Sequence, residues 1–217
     1  MSVENQHLDA LKDIRRMMQR SSRFISLSGL SGIAAGLCGL AGAFFAYMQI
    51  HTYYRHYDEQ GYTSTAFHQL KLNLALLAAA VLLVALLSAF YFTWRRAGKN
   101  NLPLWDHTSK LLAINMAIPL ITGGLFILTM LQYNEWRFVA PACLLFYGLA
   151  LVNGSKYTLS DIRYLGISEI ILGLINTQFI EYGLYFWAIG FGVLHIIFGF
   201  SMWWRLERQR FAAERTV

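Results

Sequence analysis

The sequence predicts an all-α integral membrane protein with six transmembrane helices. Three observations carry this. Several apolar runs exceed eighteen residues, enough helix to cross a hydrocarbon core of about 30 Å. Charged residues make up only 14% of the chain, against about 25% in an ordinary soluble domain. Fifteen of the eighteen Lys and Arg residues fall on one side of the resulting arrangement, leaving Arg55, Lys71 and Arg137 on the other. That asymmetry places the basic side in the cytoplasm. The six spans read as three successive hairpins with both termini cytoplasmic, preceded by an N-terminal amphipathic helix.

Residues 1–22 supply that helix. Leu8, Leu11, Ile14 and Met18 fall on one face, and Lys12, Arg15, Arg16 and Arg20 fall off it. It suits the cytoplasmic leaflet, where anionic lipids attract each basic residue by about 1 kcal/mol. It equally suits pairing with a second copy or another protein through its Leu face. The long polar opening, followed by several apolar runs, argues for a retained first span rather than a cleaved signal.

The membrane domain covers residues 23–205. Its first span, Phe24–Met48, carries Gly29, Gly32, Gly36, Gly39 and Ala43 at alternating i+3 and i+4 spacing. Such a stripe lets helix backbones approach closely. It predicts a central helix packed tightly against a neighbour, within the chain or across an oligomer interface. The stretch from His51 to Thr65 reads as the longest outer loop. His51, His56, Asp58, Glu59 and His68 lie in or near it, without an established metal-ligand spacing. Tyr47, Tyr53, Tyr54, Tyr57 and Tyr62 fit an interfacial aromatic belt.

The second span is read as Leu70–Trp94, with Lys71 reaching toward the headgroups. A basic loop over 95–110 follows, with Pro103 and Trp105 in it. Spans three and four are read as Leu111–Leu131 and Phe138–Val152. Pro119, with Gly123 and Gly124 close behind, is a hinge candidate. Such a kink either exposes backbone groups to a ligand or only shapes the packing.

Spans five and six, Ile162–Phe179 and Gly183–Trp204, form the hairpin around which the chain is organised. Gly166, Glu169, Gly173 and Asn176 share one helix face, as do Gly192, His195 and Gly199. An ionised group facing lipid costs at least about 2.5–3.5 kcal/mol, so Glu169 and His195 should face protein. Counted from Tyr164 and Trp203, both sit roughly 8–13 Å above one interface. Two readings stand: a packing pair, or a proton-responsive or solute-binding site. The chain closes in a basic cytoplasmic tail over 206–217, with Arg208, Arg210 and Arg215.

The three ascending helices open alike. Arg23-Phe24-Ile25-Ser26-Leu27-Ser28, Lys110-Leu111-Leu112-Ala113-Ile114-Asn115 and Arg163-Tyr164-Leu165-Gly166-Ile167-Ser168 share a pattern of basic, apolar, apolar, small, aliphatic, small polar. A threefold repeat of hairpins would place Ser28, Asn115 and Ser168 at one depth. With Glu169 and His195 they outline a polar pocket in the cytoplasmic half.

No phosphate-binding glycine loop, H-E-x-x-H, nucleophile elbow or dinucleotide fingerprint is present. No cofactor is implied, and the two cysteines lie inside predicted spans, which argues against a disulfide framework. The basic charge is accounted for by membrane orientation, with no nucleic-acid partner needed. The expected location is a bacterial inner (plasma) membrane, with the bilayer and its anionic lipids as partners. Three functions remain open. One is a self-assembling scaffold or regulatory membrane protein, forming a homo-oligomer or holding a protein partner. The second is a small transporter or channel, proton-linked through the polar pocket. The third is an intramembrane enzyme acting on lipid, for which the sequence offers least.

Overall fold

The computed structural model describes residues 28–61, 63–99 and 105–214, with side chains described up to residue 205 apart from that of residue 60. The amphipathic helix over 1–22, the start of the first repeat segment, Pro103 and the tail side chains lie outside the described residues. Within them the chain is helical and contains no strand. Six principal helices follow in order: α1 (Gly29–Gln60), α2 (Ser64–Lys99), α3 (His107–Gln132), α4 (Val139–Gly154), α5 (Ser160–Gln178) and α6. Helix α6 is continuous but composite, running through an α segment Gly183–Ala188, a π segment Ile189–Leu194 and an α segment His195–Glu214.

Five stretches among the described residues are long and apolar enough to cross a membrane: Gly29–Glu59, Ser64–Lys99, His107–Gln132, Trp136–Tyr157 and Ile180–Arg205. This is a membrane protein of several spans. Helix α5 falls outside that set, because its 19 residues include Asp161, Arg163, Glu169 and Asn176. Its surface nonetheless has an inverted character. Tyr164, Ile167, Ile171, Leu174 and Ile175 are exposed, while Glu169 and Asn176 are fully buried. Apolar residues outward and polar residues inward is the arrangement a lipid solvent imposes.

The expected outer loop over His51–Thr65 is corrected by the structure. Helix α1 runs on to Gln60 and α2 begins at Ser64, so only a tight turn separates them. The physical reason is local. No glycine or proline interrupts the chain between Gly42 and Gly61. At Gly61 the backbone turns to φ 79, and its N–H caps the Tyr57 carbonyl at 2.8 Å. At 32 and 36 residues, α1 and α2 are about 48 and 54 Å long, well beyond the hydrocarbon core.

The packing is distributed differently from three self-contained hairpins. Helix α1 lies between α2 and α6, and α4 lies against α3, α5 and the start of α6. Helix α5 rests chiefly on α4, and α6 chiefly on α1. Glycines explain both pairings. A Cβ on Gly148 would meet the Gly166 carbonyl at 2.7 Å, and one on Gly166 would meet the Gly148 carbonyl at 2.8 Å. The α1 stripe behaves in the same way. Added Cβ atoms at Gly29, Gly36 and Gly39 would meet the Gly199, Gly192 and Phe191 carbonyls of α6 at 2.5–2.7 Å. Gly32 faces Gly199 across the same seam, and Ala43 is buried further along α1. The stripe is therefore consumed inside the chain.

Pro119 lies within an unbroken α3. Lacking an N–H, it cannot bond to the carbonyl four residues back, which is that of Asn115. The Asn153 side chain of α4 fills the gap, donating from Nδ2 to the Asn115 carbonyl oxygen at 2.8 Å. Asn115 itself donates back to Leu111 on its own helix. At the start of α3, Asp106 and Ser109 form a reciprocal capping box. Gly123 packs on Phe146, whereas Gly124 faces open space.

Two predictions follow from this packing. Asn153→Ala should destabilise the protein by about 1 kcal/mol, by leaving the half-buried Asn115 carbonyl unpaired. In the background of Pro119→Ala, which restores an N–H there, the same change should cost less. Denaturation in mild detergent measures both, and strict additivity would show the two sites to be uncoupled. Gly36→Ala should cost about 1–3 kcal/mol through overpacking, whereas Gly124→Ala should leave thermal stability unchanged or slightly raised.

Candidate functional site

The site lies where α4, α5 and α6 meet. Leu144 of α4, Glu169 of α5 and Gly190 of α6 are mutually adjacent, since a Cβ on Gly190 would meet Leu144 Cδ2 at 2.4 Å and Glu169 Oε2 at 2.5 Å. Only glycine lets α6 approach the carboxyl this closely. Glu169 has no exposed surface, and among the described residues neither carboxyl oxygen has a hydrogen-bond partner. Its Oε1 lies 3.5 Å from His195 Nδ1.

The imidazole is held at both nitrogens. Nδ1 lies 2.9 Å from the Gly190 carbonyl oxygen, and Nε2 lies 2.7 Å from the Tyr147 hydroxyl of α4. A carbonyl only accepts, so Nδ1 carries the hydrogen and donates to Gly190. In the neutral ring Nε2 then accepts from the Tyr147 O–H. The His195 ring also stacks on Tyr147 and on Phe191, with centroids at 5.4 and 6.1 Å; those two rings meet each other at 5.1 Å, and Trp187 packs on Phe191.

The π segment supports this geometry. Gly190 stands five residues before His195, so the histidine side chain bonds a carbonyl within the wider π turn. Such turns widen the helix locally and leave carbonyls open to side-chain partners. The glycine seam with α1 runs along the same backbone, with Gly32 approaching the His195 carbonyl and Gly39 the Phe191 carbonyl.

Of the five residues outlining the expected pocket, the structure brings Glu169 and His195 together. The other three bond to their own surroundings. The carbonyl of Ser28 accepts from the Ser31 hydroxyl and N–H at the start of α1. Asn115 binds Leu111 and Asn153, and Ser168 donates to the Tyr164 carbonyl at 3.0 Å. The Asn115 amide and the Ser168 hydroxyl thus bond the backbone of their own helices, as polar side chains in helices commonly do. Lys71 reaches Asn134 Oδ1 at 2.6 Å in the turn between α3 and α4. His51, His56, Asp58, Glu59 and His68 are all exposed, and among the described residues no three His, Cys, Asp or Glu side chains gather as a metal site.

Tyr147 and Gly190 were not signalled by the sequence. Tyr147 sits beside Gly148 in an ordinary apolar run. The i, i+5 spacing of Gly190 and His195 has meaning only in a π turn.

Compared with protein-family models, curated proteins and solved structures, the chain matches none.

The hydrogen-bond assignment predicts the tautomer. In ¹⁵N spectra of histidine-labelled protein, with His195→Gln identifying the resonance, Nδ1 should be protonated and Nε2 should be the unprotonated, hydrogen-bonded nitrogen. Tyr147→Phe should keep the tautomer and shift only Nε2. A wild-type ring protonated at Nε2 alone would contradict the arrangement.

Proposed function

We propose that this chain is a six-span, proton-linked transporter or channel of a bacterial inner membrane, with both termini cytoplasmic and Glu169–His195 as its proton site. One observation carries the reading: a fully buried carboxyl without a hydrogen-bond partner, 3.5 Å from a histidine whose ring is fixed by two other groups. A glutamate retained only for packing should find partners for its oxygens, since an unsatisfied buried polar group is costly. Placed in a membrane interior, such a pair is a functional site by default.

The chemistry is proton storage. The open lone pair of the neutral imidazole is at Nε2, facing Tyr147. Charging His195 takes a proton at Nε2, while the Tyr147 hydroxyl turns from donor to acceptor. Nδ1–H then faces the Glu169 carboxylate, and the two opposite charges offset one another. With Glu169 protonated and His195 neutral, the pair carries no charge at all. These two states hold the same number of protons and no net charge, which the low dielectric favours; the site releases a proton by passing to ionised Glu169 beside neutral His195, and takes one up from that form at Glu169 or at His195 Nε2. The tight contacts at Gly190 leave room for a proton there and exclude a bulky solute.

The inverted surface of α5 supports counting it as a sixth span, and six crossings return the C-terminus to the basic, cytoplasmic side. The basic termini then face anionic lipid. A second reading, self-assembly or a protein partner, keeps one observation in its favour. The apolar span of α2 is almost wholly exposed outside its contact with α1, from Leu72 through Leu82, Leu83 and Leu87 to Phe90. The small stripe on α1 no longer supports that reading, being buried against α6.

Proteoliposomes with an imposed pH gradient test the proposal. Wild-type protein should dissipate the gradient faster than empty vesicles, and Glu169→Gln should reduce that rate at least about tenfold, the effect of losing about 1.4 kcal/mol at the site. Equal rates for wild type and Glu169→Gln would end the proton-linked reading. A defined oligomer in native mass spectrometry, with no gradient dissipation, would favour the assembly reading.

A further inference from the structure

The bundle divides into two three-helix halves. Helices α1, α2 and α6 form one, since α1 lies between the other two. Helices α3, α4 and α5 form the other, since α3 and α5 both lie against α4. Inside each half a glycine seam brings backbone against backbone. Between the halves the packing is sparser and falls chiefly to α6 against α4 and α5. The Glu169–His195 pair lies in that interface. His195 and Gly190 belong to one half, Glu169 and Tyr147 to the other. We propose that the two halves move against each other as the pair gains and loses its proton, and that a polar clasp at each end of the bundle holds the closed state. This rests on the proton-site reading above.

At the end away from the termini, Lys71 of α2 donates from Nζ to Asn134 Oδ1 in the α3–α4 turn at 2.6 Å. The ammonium also lies 4.9 Å from the centre of the Phe67 ring, which meets Trp136 at 6.0 Å across the same gap. Yet α2 packs chiefly on α1 and α3 chiefly on α4, so this link joins helices that pack elsewhere. At the end carrying the termini, Arg205 Nη1 of α6 meets Asp161 Oδ1 of α5 at 3.0 Å. Links of this kind at exposed ends are weak and break readily, as a clasp requires. The drive comes from the pair between them. Ionised Glu169 beside neutral His195 leaves a net charge in a low-dielectric interface. Parting the halves admits water to that charge, and reprotonation removes the need. From α6 the titratable group facing Glu169 is His195. From α4 it is Tyr147, with Cys143 one turn before it. Neither α4 nor the stretch Gly183–Trp204 of α6 carries a Lys, Arg, Asp or Glu. On α5 the nearest charges are Arg163 and Asp161, near the helix start.

Spin-label distances test this on the full chain in phosphatidylcholine nanodiscs, in a Cys38→Ala, Cys143→Ala background. One label pair spans the halves at the end away from the termini, at Arg55→Cys and Gln178→Cys. Another spans them at the opposite end, at Gly98→Cys and Arg163→Cys. All these positions are exposed. Raising the pH from about 5 to about 9 ionises a buried carboxyl and should lengthen the distance at one end by more than about 2 Å. Glu169→Gln, which cannot ionise, should keep the low-pH distances throughout. At low pH, Asn134→Gly, which suits the left-handed backbone there (φ 63), should lengthen the first distance. Asp161→Asn should lengthen the second, and the exchange Asp161→Arg with Arg205→Asp should restore it. Distances that ignore pH overturn the proposal. So does a wild-type response in Glu169→Gln, or an unchanged distance in either clasp variant. Dissipation of a pH gradient by the same proteins keeps the two readings apart. Glu169-dependent dissipation with fixed distances overturns the motion and leaves the proton-linked reading standing. Distances that move without dissipation overturn transport and leave the motion standing.

Discussion

The close approach of α1 to α6 sets the position of everything else in this fold. Lipid offers no hydrophobic drive between helices, so van der Waals contact must hold them. Glycine allows that contact at the scale of backbone against backbone. Gly29, Gly36 and Gly39 each lie against a carbonyl of α6, and Gly192 and Gly199 answer from the other side. The seam fixes α6 in depth and rotation, and with it His195. A second glycine contact, Gly148 against Gly166, fixes α5 on α4 and with it Glu169 and Tyr147. The pair is thus held by two independent seams that meet at Gly190.

Most polar groups in the interior find partners; among the described residues the Glu169 carboxyl, Asn176 Oδ1 and Gln49 Oε1 do not. Pro119 removes a hydrogen-bond donor, and Asn153 makes good the loss from the next helix. Asn115 and Ser168 bond to their own helices, and His195 is held at both nitrogens. Glu169 departs from this. Its oxygens stand unpaired beside a ring that already has its partners.

Much of the framework was legible in the sequence. Apolar length predicted the spans, since helix rise and bilayer thickness are constants of the problem. Spacing put Gly166, Glu169, Gly173 and Asn176 on one face, and all four are buried. The stripe on α1 announced a close helix contact. The sequence did not say which helix lay across that contact, because every span offers small residues. It misplaced the turn after α1, because tyrosine-rich polar sequence without a breaker continues as helix when a neighbouring helix supports it. The expected ring of Ser28, Asn115 and Ser168 rested on matching depth alone, and depth does not determine rotation about the helix axis.

What the sequence determined by itself was the class of molecule: its solvent, its helical character, and the two ionisable residues placed among small ones. These depend on local composition and on period, which one chain read alone contains. What the tertiary structure decided was partnership. It joined α1 to α6 and α5 to α4, supplied Tyr147 to His195 and Asn153 to Asn115, and opened the π turn that turns the Gly190 carbonyl toward the imidazole. Each of these joins residues on different helices or depends on a local change of helical pitch. Neither leaves a periodic trace in sequence, because lipid-facing and protein-facing sides of a span are both apolar and the pattern that separates inside from outside in water is absent.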